Sequence, residues 1–203
     1  FLLLASWFFY SCAGTAYFVL LVVVSAISYV VADVIGRAKT KAVQTTMLVL
    51  GLVMLLGNLC FFKYYDWFGR QLAIAASNLG SAYIPPDYGL AVPLGISFYT
   101  FVLSGYLIDV YQRKREPERN FVKLALFASF FPLVSSGPVE RSTGLLPQFD
   151  RPAPFQYDVF CQGASRILWG FFKKFVIANT LGTAVDAVYG NPGYGAYTGP
   201  ILL

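Results

Sequence analysis

Residues Pro93–Phe149 read PLGISFYTFVLSGYLIDVYQRKREPERNFVKLALFASFFPLVSSGPVERSTGLLPQF, the most informative part of the sequence. It contains an uncharged run of helix length, then a sharply basic loop, then a shorter apolar run that proline and glycine interrupt. Irregular backbone at membrane depth is tolerated only where it is buried in protein or lines a cavity. The stretch is therefore typical of the interior site of a membrane enzyme or transporter.

The composition of the whole chain also indicates a membrane protein. Of its 203 residues, 57% are hydrophobic and only 12% are charged, whereas soluble domains carry roughly 25% charged residues. A large soluble core would not need uncharged runs as long as these. The net charge of +5 comes from short Lys and Arg clusters beside apolar runs. Such clusters are orientation signals, so nucleic acid is not an expected partner.

Histidine is absent from the chain, which limits the chemistry that these residues can perform. A Ser–His–Asp or Cys–His nucleophile system is impossible within them, and acid–base work would fall to Asp, Glu, Lys or Tyr. Cys12, Cys60 and Cys161 are isolated in or beside apolar segments and form no CxxC pair. We therefore expect buried, inert thiols and no metal site.

The apolar runs predict an all-α, multi-pass membrane protein with a single transmembrane domain. Spans are predicted at 1–11, 15–35, 42–64 and 88–110, a re-entrant helix pair at 121–139, and a long helix at 159–188. A short interfacial helix is expected at 67–79, where the apolar pattern weakens. Whether 124–139 crosses or re-enters is left open. The chain starts without methionine and stops within a new apolar stretch at 199–203, so we expect the N-terminal part of a longer domain.

Basic clusters orient these spans. The loops after the second and fourth spans contain Arg37, Lys39 and Lys41, and Arg113, Lys114, Arg115, Arg119 and Lys123, respectively. Cytoplasmic loops are enriched in Lys and Arg, so both loops are predicted to be cytoplasmic. Alternation then places the intervening loop, 63–87, on the opposite side.

Asp109 is the first candidate for a functional side chain. Ionisable residues near membrane depth are costly and therefore suggest a function. Asp109 lies at the end of its predicted span, however, so an interfacial ion pair with Arg113 or Lys114 is the simpler alternative. The Arg113 spacing is i,i+4 if the helix continues.

Glu140 and Arg141 form the second candidate site. They directly follow the Gly137–Pro138 break, so irregular backbone could aim both side chains into a cavity. A salt bridge between the two on a cytoplasmic loop is the equally weighted alternative.

At this point the sequence resembles a known family. The blocks PLGISFYTF, GYLIDVY, ALFASFFP, SGPVER, LLPQF, WGFFKKFVIANTL and VDAVYGNP occur in this order. Together they are similar to the alginate O-acetyltransferase branch of the membrane-bound O-acyltransferases (MBOATs). The resemblance is weak before Gly57 and specific from Pro93 to Pro192.

The resemblance implies a multi-helix bundle around a funnel or tunnel in the inner (cytoplasmic) membrane, in contact with membrane lipid. It implies acyl transfer, typically of acetyl, from a cytoplasmic thioester such as acetyl-CoA to a polysaccharide hydroxyl, with no bound cofactor. The family's catalytic histidine follows a tryptophan in a more C-terminal block. No residue here is therefore assigned as catalytic, and the 203 residues alone are expected to be inactive. Asp109, Pro138, Glu140 and Arg141 are expected to line the substrate tunnel.

Two alternatives remain open on the residues alone. A transporter or flippase shares the broken helices and interior charges, although it predicts pseudo-symmetric halves and the chain has no internal repeat. A non-catalytic scaffold for a partner acyltransferase is the other. The open reading frame discriminates, because a downstream Trp-His block would favour the enzyme.

Overall fold

The computed structural model describes residues 1–79, 92–150 and 154–189, and their regular structure is helical, as predicted. The elements are α1 (Leu2–Ser11), α2 (Thr15–Arg37), α3 (Lys41–Asn78), α4 (Ile96–Tyr111), α5 (Phe121–Ser129), α6 (Phe131–Val134), α7 (Ser142–Leu145), a 3₁₀ turn (Leu146–Asp150), α8 (Tyr157–Phe172), a π-helical turn (Lys173–Ala178) and α9 (Asn179–Tyr189). They form two compact units, Phe1–Arg151 and Pro152–Leu203. Residues 88–91 of the predicted fourth span and the stretch 199–203 lie outside the described residues.

Helices α2 and α3 are long and apolar enough to cross a membrane, over Thr15–Arg37 and Lys41–Tyr65. Only 33% and 17% of their most apolar windows are buried. The core helix of a soluble protein would be mostly buried, whereas these helices expose large apolar side chains such as Val23, Val30 and Val53. Their outward faces suit lipid, and the chain is that of a membrane protein.

Helix α3 differs from the prediction of a span at 42–64 followed by a separate interfacial helix at 67–79. It is one helix of 38 residues, Lys41–Asn78, about 57 Å long at 1.5 Å per residue. The hydrocarbon core is only about 30 Å thick, so the helix continues well beyond a single crossing. The polar residues near Arg70 lower the hydropathy, but the segment that follows, 71–79, contains three Ala, two Leu and one Gln, which favour helix.

Helix α4 begins later than predicted, because residues 92–95 are not helical and the first helical residue is Ile96. Gly95 precedes it in a left-handed conformation, with φ of 66°. A Cβ there would overlap the carbonyl oxygen of Val134. Glycine therefore allows the start of α4 to lie directly against α6.

The core of the first unit lies between α2, α3 and α4. Gly51 of α3 has no side chain where Val31 of α2 and Leu107 of α4 approach it. Tyr10 of α1 is fully buried, and its hydroxyl donates to the Leu94 carbonyl oxygen at 2.7 Å. This bond ties α1 to the segment that leads into α4.

The predicted re-entrant segment 121–139 contains two short helices. Helix α5 has nine residues and spans about 14 Å, so it cannot cross the hydrocarbon core alone. Asn120 caps it by accepting from the Val122 backbone N–H at 2.9 Å, and residues Leu124–Ser129 are all buried. The helix is interrupted at Phe130, and α6 follows with Pro132 in its first turn.

The described part of the second unit contains the predicted long helix, which extends over 157–189 rather than 159–188. It begins after Gln156, and Asp158 lies in its first turn. A π-helical turn interrupts it at Lys173–Ala178. The Lys173 ammonium lies 5.8 Å from the ring centre of Trp169, a cation–π contact suited to an interfacial anchor.

The prediction of buried thiols is wrong for two of the three cysteines. Cys12 and Cys60 are exposed, and Cys161 is partly exposed. An apolar segment was taken to mean a buried one, but a membrane helix turns apolar residues outward as well as inward.

Candidate functional site

A cavity of about 430 Å³ lies beside the C-terminal half of α4. Its wall comprises Phe101, Gly105, Ile108 and Asp109 of α4, Gln112 and Lys114 of the following loop, and Val139, Glu140, Arg141 and Ser142. Gly105 lies four residues after Phe101, and Ile108 and Asp109 lie three and four residues after Gly105, so these α4 residues share one helical face. The cavity brings together three of the four predicted candidates: Asp109, Glu140 and Arg141.

Asp109 is buried, with 7% of its surface exposed. Its Oδ2 accepts a hydrogen bond of 2.7 Å from the Ser142 hydroxyl. The alternative ion pair with Arg113 or Lys114 does not occur among the described residues. The reason is that α4 ends at Tyr111 and Arg113 turns to a left-handed conformation, with φ of 56°. Arg113 is therefore not one helical turn beyond Asp109 on the same helix face.

Ser142 also lines the candidate site and was not predicted from the sequence. It is 1% exposed, and it links two helical regions because its hydroxyl donates to Asp109 while its carbonyl oxygen accepts from Arg115 Nη1 at 3.0 Å. None of the predicted helices covers 140–158, but residues 142–150 form α7 and a 3₁₀ turn. The spacing of Ser142, Leu145 and Leu146, all buried, is the helical signal that could have shown it.

Ion pairs hold the loop after α4 in place. Glu118 Oε2 lies 2.8 Å from Arg115 Nη2 and 3.1 Å from Lys123 Nζ, and Lys123 Nζ lies 2.7 Å from Asp150 Oδ2. The Glu118 backbone N–H donates to the buried Tyr106 hydroxyl at 2.9 Å. Arg115 thus connects this network to Ser142, and part of the basic cluster is structural as well as orienting.

The electrostatic balance at Glu118 favours the carboxylate. Burial by itself would raise the pKa of this carboxyl group. The hydrogen bonds from Lys123, the Asn120 backbone N–H and Arg115, together with the charge of Lys123, outweigh burial and lower the pKa below its ordinary value.

Glu140 and Arg141 are both exposed at the cavity. Where the structure describes the chain, the ion pairs include none between them, so the mutual salt bridge is not seen. Glu140 also reaches a narrow apolar crevice, together with Pro138 and the aromatic rings of Tyr99 and Phe130. Pro138, the fourth candidate, therefore lies beside the main cavity rather than in its wall.

The arrangement can bind and orient polar groups. Glu140 offers a carboxylate that can accept from a hydroxyl, and Arg141 offers a guanidinium that can bind an anion in two-point fashion. The hydrogen bond between Ser142 and Asp109 holds the segment that carries Glu140 and Arg141 against α4. The role of these residues in lining a substrate tunnel stays a prediction.

Known proteins related to this chain are found among curated sequences, whereas no family model and no solved structure matches it. The "Probable alginate O-acetylase AlgI" of Pseudomonas aeruginosa is 34% identical over 187 residues, covering 91% of this chain and 35% of that protein. The peptidoglycan O-acetyltransferase of Helicobacter pylori is 32% identical over 212 residues, covering 91% and 39%. The teichoic acid D-alanyltransferase of Lacticaseibacillus rhamnosus is 32% identical over 92 residues, covering 44% and 22%. The chain spans little more than a third of the length of the first two relatives.

Proposed function

Because sequence similarity over nine-tenths of the chain makes it a member of the membrane-bound O-acyltransferase family, we propose that its protein transfers acyl groups to polysaccharide hydroxyls. Acetyl is the acyl group that most of the relatives' names favour. The observation that carries the proposal is this similarity. It also favours acyl transfer over the transporter and scaffold alternatives.

The cavity is proposed to form part of the path for the acyl donor. It adjoins the end of α4 from which the basic loop 112–120 departs, and basic loops are cytoplasmic by the positive-inside rule. A cytoplasmic thioester such as acetyl-CoA would therefore approach from this side. The proposed location is the inner membrane, with several spans, and the proposed acceptor is a cell-surface polysaccharide.

The residues of the cavity are proposed to bind and orient rather than to transfer the proton. A hydroxyl attacks a thioester carbonyl only if a positioned base removes its proton. The histidine that the family resemblance implies is absent from these 203 residues, so the base is assigned to another part of the protein. Arg141 would hold an anionic group of a substrate, and Glu140 would accept from a hydroxyl.

The test is to express the complete open reading frame in a bacterium that makes the acceptor polysaccharide without O-acetyl groups. Acetyl esters on the polymer, measured by NMR, are expected to appear only with the protein. Esters that require a second, co-expressed acyltransferase would instead indicate the scaffold. Substrate movement across vesicles without ester formation would indicate the transporter.

A further inference from the structure

A second cavity, of about 350 Å³, lies where α2 and α4 end and α3 begins. Gly36 and Gln44 contribute to its wall from α2 and α3, and Arg113, Arg115 and Glu116 contribute from the loop after α4. Val110 also lines it, on the side of α4 opposite to Ile108 and Gln112, which face the first cavity. The two cavities are therefore separate sites.

The wall of the second cavity contains two arginines, Arg113 and Arg115, and one carboxylate. Arg113 is exposed and takes part in none of the ion pairs among the described residues. Arg115 is paired with Glu118, yet its Nε is buried without a hydrogen-bond partner. Lys39 and Lys41 lie in the connection between Gly36 and Gln44 and are likewise unpaired within the described part of the chain. Glu116 is the single carboxylate of the wall.

The backbone at Arg113 supports a role beyond ending the helix. The Arg113 N–H donates to the Val110 carbonyl and the Lys114 N–H to the Asp109 carbonyl, a helix end that normally places glycine at the left-handed position. Arginine is disfavoured in this conformation. An outlier of this kind motivates a functional hypothesis, and here the side chain in question lines the cavity.

We propose that this cavity binds a phosphate-type anion at the level of the lipid headgroups, with Arg113 as its main cation. Guanidinium groups bind phosphate oxygens through two parallel hydrogen bonds. The apolar segments of α2 and α3 end here at Arg37 and Lys41, which places the cavity at the membrane surface. A lipid headgroup and a soluble phosphate present the same chemistry. The site goes beyond the proposed acyl transfer and does not depend on it.

The experiment measures binding to the full-length protein in a non-ionic detergent at constant ionic strength. The probes are inorganic phosphate, dioctanoyl phosphatidylglycerol and dioctanoylglycerol, which lacks phosphate. The variants are Arg113→Asn and Arg119→Asn. Asparagine tolerates the left-handed conformation, and Arg119 is an exposed cation on the same loop that lines neither cavity. Both variants therefore lose one charge, but only one loses it from the site.

Saturable binding of at least one phosphate-bearing probe is expected for the unaltered protein and for Arg119→Asn. Arg113→Asn should bind about tenfold or more weakly, as follows from loss of a charge-assisted contact. Binding of phosphatidylglycerol alone identifies a headgroup site, and comparable binding of inorganic phosphate identifies a site for the phosphate group itself. Three results would overturn the proposal. They are an equal loss of affinity in both variants, binding of dioctanoylglycerol as tight as that of the phosphate-bearing probes, and no saturable binding of any probe. None of these readouts involves acyl transfer.

Discussion

At the residue scale, the hydrogen bond between Ser142 and Asp109 is expected to stabilise the first unit. Both residues are buried, so Ser142→Ala leaves a carboxylate without its donor. We expect a loss of about 1.5–3 kcal/mol in the free energy of unfolding, as for hydrogen bonds to charged groups. Thermal unfolding in detergent measures it.

The matched control for that bond is Asp33→Asn. It breaks the pair between Asp33 and Arg37, whose side chains are 38% and 81% exposed. Exposed pairs are worth about 0–1 kcal/mol, so this variant should unfold close to the unaltered protein. Equal effects of Ser142→Ala and Asp33→Asn would contradict a structural role for Ser142.

Gly95→Ala is predicted to destabilise the start of α4. The residue has a left-handed φ of 66°, which costs an L-residue about 1–2 kcal/mol, and the added Cβ also overlaps the Val134 carbonyl. The loss should therefore exceed that range. Gly57→Ala on α3 is the control, because a Cβ there meets nothing within 4 Å and alanine favours the helix; it should be neutral or stabilising.

The Glu118 network predicts a stability that depends on pH. The folded state lowers the pKa of Glu118 below its ordinary value of 4.5, so it binds the proton less tightly than the unfolded chain does. The stabilisation is then fully present above pH 4.5 and is lost as the pH falls through the lowered value. Comparing the unfolding midpoint of the unaltered protein and Glu118→Gln between pH 3 and 7 tests this. If the difference in unfolding midpoint between the unaltered protein and Glu118→Gln does not become smaller at low pH, the predicted pH dependence is wrong.

At the element scale, the sequence predicted the existence and type of the helices better than their limits. The start of α4 was placed too early, because the apolar residues before Pro93 and Gly95 continue the run. The end of α3 was placed too early for the opposite reason, since polarity does not end a helix whose residues favour it. Hydropathy reports depth in a membrane, whereas helix limits depend on caps, glycine and proline.

The continuity of α3 predicts a measurable distance. Spin labels at Lys63 and Asn78, in a protein whose native cysteines are replaced, should lie about 22 Å apart along the helix axis, from fifteen steps of 1.5 Å. Labels at Lys41 and Leu56 have the same spacing within the apolar span and serve as the control. Electron–electron resonance should give similar distances for the two pairs. A markedly shorter and broader distribution for Lys63 and Asn78 would support the separate interfacial helix instead.

At the scale of the whole first unit, the candidate site depends on contacts between distant parts of the chain. Asp109 and Ser142 are 33 residues apart, and Lys123 and Asp150 are 27 apart. Asp109 was predicted because ionisable side chains near membrane depth are energetically costly. Glu140 and Arg141 were predicted because they follow the Gly137–Pro138 break. Their meeting at one cavity could not be predicted, because it depends on how α4 ends and where α7 begins. For Ser142, the helical spacing with Leu145 and Leu146 was available in the sequence, but its hydrogen bond to Asp109 is set by tertiary structure.

The absence of histidine leads to a prediction for the chain as given. The 203 residues, purified in detergent with acetyl-CoA and an acceptor polysaccharide, should transfer no acetyl groups, while the complete open reading frame should do so under the same conditions. Transfer requires a base near neutral pH, and the exposed carboxylate of Glu140 lines the candidate cavity. If the 203 residues do turn over and Glu140→Gln abolishes it, the base lies in this cavity. The proposed division between a binding wall here and a base elsewhere would then be wrong.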